Sequence, residues 1–157
     1  MYKYLASVRV AAPVDAVFAF YCDPANWRPT LPNLLALEMQ GEPPFALGTR
    51  WRQRRRLLWM AQDSDAEVVA FDPPHDLEIR IGVPKLDEAG GTLHVAHHMQ
   101  EEAGGMRWFV GAKIEMPQPI PRLADGLFFT PMRFSAGRDL RAFKRAIERG
   151  RENGPSS

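Results

Sequence analysis

The sequence has little cysteine, no long apolar run and no excess of charge of one sign. Cys22 is its only cysteine, which excludes an intrachain disulfide and is typical of the reducing cytoplasm, where we expect the protein. No run approaches the roughly 18 apolar residues of a membrane helix, and the first residues lack a signal-peptide core. The formal net charge of +1 gives no reason to expect nucleic acid as a partner.

Known catalytic and metal-binding motifs are also missing. The sequence contains no P-loop, no dinucleotide-binding glycine fingerprint and no nucleophile elbow. His94, His97 and His98 lie close together in sequence, but along one strand His94 and His98 stand about 13 Å apart and His97 points the opposite way. Because zinc needs ligands within about 2.1 Å, we expect no metal, and we expect no cofactor. Cys22 has no recognisable base partner and is interpreted as structural.

What the chain does contain fits one ordinary domain. Its 157 residues are 45% apolar and 25% charged, close to the averages for globular proteins. Fourteen prolines and twelve glycines indicate many turns and therefore a sheet-rich protein. We expect a single domain over residues 1–149 and a disordered polar tail over residues 150–157.

The apolar periodicity predicts an α+β fold. A short helix follows Pro13, and a second short helical or turn segment covers residues 25–33. A period of 3.6 then runs from the proline-rich segment 116–121 to Arg149, and Pro131 predicts a kink or break near Thr130. Alternation of period two predicts strands at residues 4–10, 35–40, 49–57, 61–71, 77–83, 92–101 and 106–115. We therefore expect a curved seven-stranded antiparallel sheet around a long C-terminal helix, with two short helices between strands 1 and 2.

Several segments along the chain match one superfamily. They are Val8–Phe18, Asp23–Trp27, Gly48–Arg50, Phe71–Pro74 and Asp139–Glu148. In their order and spacing the sequence resembles the SRPBCC or START-like superfamily, which includes polyketide cyclase/dehydrase-like proteins and the major birch pollen allergen. The resemblance implies the helix-grip fold. It does not select a function, because the superfamily includes lipid carriers, cyclases, hydrolases and ligand sensors.

The glycine turn at residues 103–105 allows the faces of the last hairpin to be assigned. Antiparallel pairing about this turn predicts the pairs Met99–Trp108, His97–Val110, Val95–Ala112 and Leu93–Ile114. This face is apolar apart from His97, which makes His97 the clearest inward polar group. We interpret it either as a ligand-orienting or acid–base residue, or as a buried histidine bonded to Gln62 or Ser64.

The arginine run has a simple structural interpretation. Arg50, Arg52, Arg54 and Arg56 share one face of their strand, and Asp63, Asp65 and Glu67 share one face of the next. Pairing across an exposed ladder would neutralise the arginines, which argues against nucleic-acid binding. Arg55 then faces inward, or it lies at the rim of the sheet in water.

The leading functional hypothesis is the binding of a lipid-like, aromatic or polyketide-like molecule between the sheet and the C-terminal helix. For any one lining residue, a core role is the alternative. The candidate ligand-binding residues are Trp27, Trp51, Gln53, Ile79, Ile81, Val95, His97, Met99, Trp108, Val110, Leu127 and Phe128. A second hypothesis is a polyketide cyclase or dehydratase in which Arg55, His97 and Gln53 polarise a carbonyl or move a proton. A third is a non-enzymatic regulatory or partner-binding protein with a filled core. The sequence does not indicate an oligomeric state.

Overall fold

The computed structural model describes residues 2–57, 60–119 and 121–152 of the chain. The strands are β1 (Lys3–Val10), β2 (Leu34–Gln40), β3 (Arg50–Leu57), β4 (Met60–Asp72), β5 (Asp76–Gly82), β6 (Thr92–Glu102) and β7 (Gly105–Glu115). In these ranges the seven strands form one antiparallel sheet in the order β1-β7-β6-β5-β4-β3-β2. The helices are α1 (Val14–Tyr21), α2 (Trp27–Thr30), α3 (Pro84–Glu88) and α4 (Arg122–Glu152), with a 3-10 turn at Pro24–Asn26. The predicted helix-grip fold is confirmed.

Alternation sets the register of the sheet as predicted. Met99 pairs with Trp108, and His97 pairs with Val110. On the outer face of β3, Arg50, Arg52 and Arg54 form ion pairs with Glu67, Asp65 and Asp63. The Arg52–Asp65 and Arg54–Asp63 pairs are exposed and stabilise the fold only weakly, so the ladder accounts for these three arginines without a ligand.

Two helices differ from expectation. Helix α3 was not predicted, because Pro84–Glu88 is too short to show a period of 3.6. The sequence predicts a kink or a break near Thr130; helix α4 continues through Pro131, so there is no break. Pro131 is exposed, so the carbonyl group that its ring leaves unbonded can bond to water. The helix ends at Glu152, beyond the predicted boundary at Arg149, and residues 153–157 of the predicted tail lie outside the described residues.

Helix α4 packs along β1 and runs in the same direction. Arg133 donates to the carbonyl oxygen of Tyr4 at 3.4 Å, and Lys144 donates to that of Arg9 at 2.7 Å. Phe129, Leu140, Phe143 and Ile147 of α4 are buried against the sheet. The first half of α4 therefore lies beside the start of β1, and its second half lies beside the end of β1.

The close approach of β1 and β7 predicts that Gly105→Ala is destabilising. A Cβ atom at this position would clash with the carbonyl oxygen of Val10, which is backbone and cannot move aside. We expect the free energy of unfolding, measured in urea, to fall by about 1–3 kcal/mol. Gly126→Ala is the control: nothing lies within 4 Å of its Cβ position in α4, and alanine should stabilise the helix by about 0.5–1 kcal/mol. Equal stability of the Gly105→Ala variant and the wild type would contradict the packing described.

Candidate functional site

Tyr21, the last residue of α1, lies at the centre of an aromatic cluster inside the sheet. The centroid of its ring lies 4.7 Å from that of His97, 5.1 Å from that of Trp108 and 5.3 Å from that of Phe143. Its hydroxyl group lies 3.1 Å from Nε2 of His97. No local pattern in the sequence indicates this contact, because it joins residues 76 positions apart.

The hydrogen bonds of His97 determine its tautomer. The indole Nε1–H of Trp108 donates to Nδ1 of His97 at 3.1 Å. Because an indole N–H can only donate, Nδ1 carries no hydrogen, and the neutral ring carries its hydrogen on Nε2. Burial lowers the pKa of His97 to about 3, so the ring stays neutral at physiological pH. His97 therefore donates from Nε2 to the hydroxyl oxygen of Tyr21.

The predicted hydrogen-bond partners of His97, Gln62 and Ser64, are wrong. Both residues lie on β4, and β5 separates that strand from β6, which carries His97. The partners come instead from α1 and β7. Cross-strand alternation predicts which face a side chain shares, but it does not predict which helix packs over it.

The hydroxyl oxygen of Tyr21 accepts the hydrogen bond from His97. The hydroxyl hydrogen of Tyr21 is therefore available to donate to another acceptor. Burial is the main cause that raises the pKa of Tyr21, and the neighbouring Cys22 and Asp139 raise it further. Arg55 acts in the opposite direction. The phenol stays protonated at neutral pH, and the charges of Asp139 and Arg55 both act on its pKa.

Arg55 faces the interior, and its side chain is only 21% exposed. Its Nη2 donates to both carboxylate oxygens of Asp139 on α4, each at 2.9 Å. Its Nε is buried and has no hydrogen-bond partner among the described residues. Burial raises the pKa of Asp139, and the adjacent guanidinium of Arg55 opposes that shift. Of the two positions considered for Arg55, the interior is therefore the observed one, with partial access to water.

The inner face of the sheet is polar on β3 and β4. Gln53 accepts a hydrogen bond from Nε1 of Trp51 at 3.1 Å and donates to Oγ of Ser64 at 3.4 Å. Arg55 pairs across the ladder with Gln62, which is also half-buried. These residues form a polar strip (Gln53, Arg55, Gln62 and Ser64). Since β5, β6 and β7 present mainly apolar side chains inward, the interior is amphipathic.

A second aromatic group adjoins the polar strip. Trp27 and Trp51 lie 4.9 Å apart between ring centroids, and Phe45 lies 5.9 Å from each. The indole of Trp27 donates to the backbone oxygen of Tyr21 at 2.6 Å. This bond connects α2 to the end of α1 and holds Trp27 beside the interior.

The structure places the predicted ligand-binding residues at different depths. Those buried in the core are Trp27, Trp51, Ile79, His97, Met99, Trp108 and Val110. Met99 and Trp108 expose no surface at all, and Gln53, Ile81 and Val95 are half-buried. Leu127 is exposed, because it lies about 200° around α4 from Phe129, which faces the sheet. The side chain of Phe128 lies outside what the structure describes.

Other titratable residues have local partners. His94 and His98 lie on the outer face, 2.8 Å from Glu78 and Asp76 respectively. Burial raises the pKa of the Cys22 thiol to about 12, so it stays protonated and is not a nucleophile at neutral pH. Within the described ranges, no three His, Cys, Asp or Glu side chains could together hold a metal ion. No helix in these ranges is both long and apolar enough to cross a membrane.

Comparison with known proteins identifies the family. Residues 1–148 match the model of the family described as polyketide cyclase / dehydrase and lipid transport. The chain belongs to this family. A comparison of the sequence with curated proteins finds no match.

Solved structures share the family's fold at low identity. The crystal structure of Ara h 8.0201 is 12% identical, with a TM-score of 0.72 over 95% of this chain and 98% of that one. A point mutant of norcoclaurine synthase from Thalictrum, in complex with a transition-state analogue, is 13% identical, with a TM-score of 0.72 over 96% and 97%. The di-domain ARO/CYC protein BexL of the BE-7585A biosynthetic pathway is 18% identical, with a TM-score of 0.70 over 99% of this chain and 51% of BexL. These similarities show the fold, whereas the function has to be argued from the residues of the site.

The buried neutral histidine predicts a specific pH dependence of stability. His97 has a pKa of about 3 in the folded protein, against about 6.5 in an unfolded chain. Between these values the unfolded state binds one more proton, so His97 lowers stability as pH falls, by up to about 1.4 kcal/mol per pH unit. His97→Gln removes this term, while its amide can still accept from Trp108 and donate to Tyr21.

Urea unfolding of the wild type and His97→Gln at about pH 7 and about pH 5 measures this effect. The loss of stability on acidification should be smaller for the variant than for the wild type. Equal losses in the two proteins would show that His97 is not buried and neutral. The stability at about pH 7 serves as the internal control, because neither side chain is charged there.

Proposed function

We propose that the protein binds an apolar small molecule with one oxygen-bearing polar end, held between the sheet and α4. The observation that supports this most is the guanidinium of Arg55. It lies on the inner face of β3, and its buried Nε has no hydrogen-bond partner among the described residues. A buried donor without an acceptor is costly, by about 1–3 kcal/mol, and a ligand oxygen would relieve that cost.

The pairing of Arg55 leaves it able to bind a ligand. Asp139 uses only Nη2, although a guanidinium can form a two-pronged pair with a carboxylate. Nε is therefore available to a carbonyl, phenolate or carboxylate oxygen of a ligand. Gln53, two residues earlier on the same inner face, adds a second polar group.

The apolar part of the ligand would lie against the half-buried side chains of the inner face and beside the aromatic groups. Ile81, Val95 and Tyr21 are half-buried. Ligand sites combine such apolar walls with a few placed polar groups. The family description, which names polyketide cyclases, dehydrases and lipid transport, supports a hydrophobic ligand.

Arg55→Gln should weaken the binding of an anionic aromatic probe. We choose 1-anilinonaphthalene-8-sulfonate, whose fluorescence rises in an apolar site and whose sulfonate would accept from Arg55. The loss of one charge-assisted hydrogen bond, about 1.5–3 kcal/mol, predicts an affinity roughly 10- to 100-fold lower. Arg54→Gln is the matched control: it removes the same charge one residue away, on the outer face beside Asp63.

Equal affinities of the Arg54→Gln and Arg55→Gln variants would contradict an inward anchor. Failure of the wild type to bind the probe, together with a native mass spectrum free of co-purified small molecules, would favour a protein with a filled core. Thermal unfolding of each variant would verify that the fold is kept.

A second candidate function is ring closure of a carbonyl substrate. The observation that favours it is the position of Asp139, a carboxyl group of raised pKa beside Arg55 and near Tyr21. Arg55 would polarise a carbonyl, and Asp139 would accept a proton from the carbon that attacks it. One C–C bond forms, and the hydroxyl group produced leaves as water after a second proton transfer. His97 would act by positioning Tyr21 and would not itself exchange protons.

Incubation with a linear diketone able to close to a six-membered enone tests this candidate. We expect the wild type to form the enone faster than buffer, and Asp139→Asn to be slower by about 100-fold or more. Arg54→Gln should retain the wild-type rate, because it does not face the interior. An unchanged rate for Asp139→Asn would remove it as the base, while ligand binding through Arg55 would stand.

A further inference from the structure

The first half of α4 carries an apolar stripe that faces away from the sheet. Leu123 is 92% exposed, Leu127 is 79% exposed and Phe134 is 67% exposed. Their separations of four and seven residues place them on one side of the helix. The opposite side carries Phe129, which is buried. Packing on the sheet requires only one apolar side, so the outer stripe serves another purpose.

The strand directions bring a second apolar group to the same end of the molecule. The start of β1 lies beside the first half of α4, through Tyr4 and Arg133. Because neighbouring strands are antiparallel throughout the sheet, β4 starts and β3 ends at that end too. Met60, at the start of β4, is 59% exposed. The apolar stripe of the helix and Met60 thus lie at the same end of the fold.

Arginines lie on the same two elements as these apolar groups. Residues 116–138 include three arginines and one acidic residue, Asp125. The guanidinium of Arg138 lies 5.9 Å from the ring centroid of Phe134. Arg56 is exposed opposite Ala61 and forms no ion pair with the described residues. An exposed mixture of Leu, Phe and Arg is typical of helices that lie in the headgroup region of a membrane.

We propose that this end of the molecule, formed by the first half of α4 and the β3–β4 hairpin, docks on an anionic lipid surface. The leucines and Phe134 would enter the headgroup region, and the arginines would contact lipid phosphates. A second copy of the chain is a poorer partner, because a two-fold contact would face the arginines of this surface with the same positively charged surface of the other copy. Each arginine near an anionic surface strengthens binding by about fivefold.

Co-sedimentation with vesicles tests the proposal. We expect the full chain to bind vesicles of phosphatidylcholine mixed with phosphatidylglycerol, to bind phosphatidylcholine alone much more weakly, and to be released by salt. The double variant Leu123→Glu/Leu127→Glu should lose at least about tenfold in partition. Leu47→Glu is the matched control, since Leu47 is also exposed but lies in the β2–β3 loop at the opposite end.

A second variant keeps the test decisive if the double variant is unstable. Arg56→Gln removes one exposed charge without touching α4 and should lower binding by about fivefold. Failure of the wild type to bind mixed vesicles at low salt would overturn the proposal, as would an equal loss with Leu47→Glu. If the wild type is a dimer that Leu123→Glu/Leu127→Glu dissociates, the stripe is a subunit interface and not a membrane surface. None of these outcomes depends on the ligand proposed for the interior.

Discussion

The architecture of the interior depends on how one arginine is accommodated. Arg54, Arg55 and Arg56 are consecutive in a strand, so alternation sends at least one of them inward. A guanidinium in that position needs a carboxylate, and Asp139 of α4 supplies it. Helix α4 packs along β1, whereas Arg55 lies on β3, five places away in the sheet order. The sheet must therefore curve around the helix for this ion pair to form.

Tyr21 connects this ion pair to the apolar half of the interior. Trp108 holds His97 as a neutral donor, and His97 in turn holds the hydroxyl oxygen of Tyr21. Each donor in this series of hydrogen bonds has a single acceptor, so the orientation of the phenol follows from the fold. The hydroxyl hydrogen takes no part in these bonds, and the charges of Asp139 and Arg55 both act on the pKa of the phenol. The neutral series of hydrogen bonds from Trp108 to Tyr21 thus ends near the Arg55–Asp139 ion pair. This arrangement is suited to recognising a single oxygen atom.

Local patterns predicted the sheet but not the contacts that complete the site. The register of β6 against β7 and the outer ladder of Arg50 to Arg54 follow from alternation and one glycine turn, all within short stretches of sequence. The Arg55–Asp139 pair spans 84 residues and the Tyr21–His97 bond spans 76. No periodicity relates such positions, because they meet only when helix and sheet pack. For the same reason the sequence predicts Leu127 as a lining residue, whereas Phe129 is the one buried against the sheet. When apolar residues lie on both sides of a helix, the pattern does not determine which side faces the core.

The requirements of packing also explain why proteins that share this fold have low sequence identity. Structures that are 12% to 18% identical to this chain share its curved sheet and long helix. Curvature and register require apolar side chains at alternate positions, and many residues satisfy that requirement. The polar residues that face inward are not required by packing, and each one costs stability unless it is paired. Arg55, Asp139 and Tyr21 are such residues, which is why the proposed function rests on them and not on the scaffold.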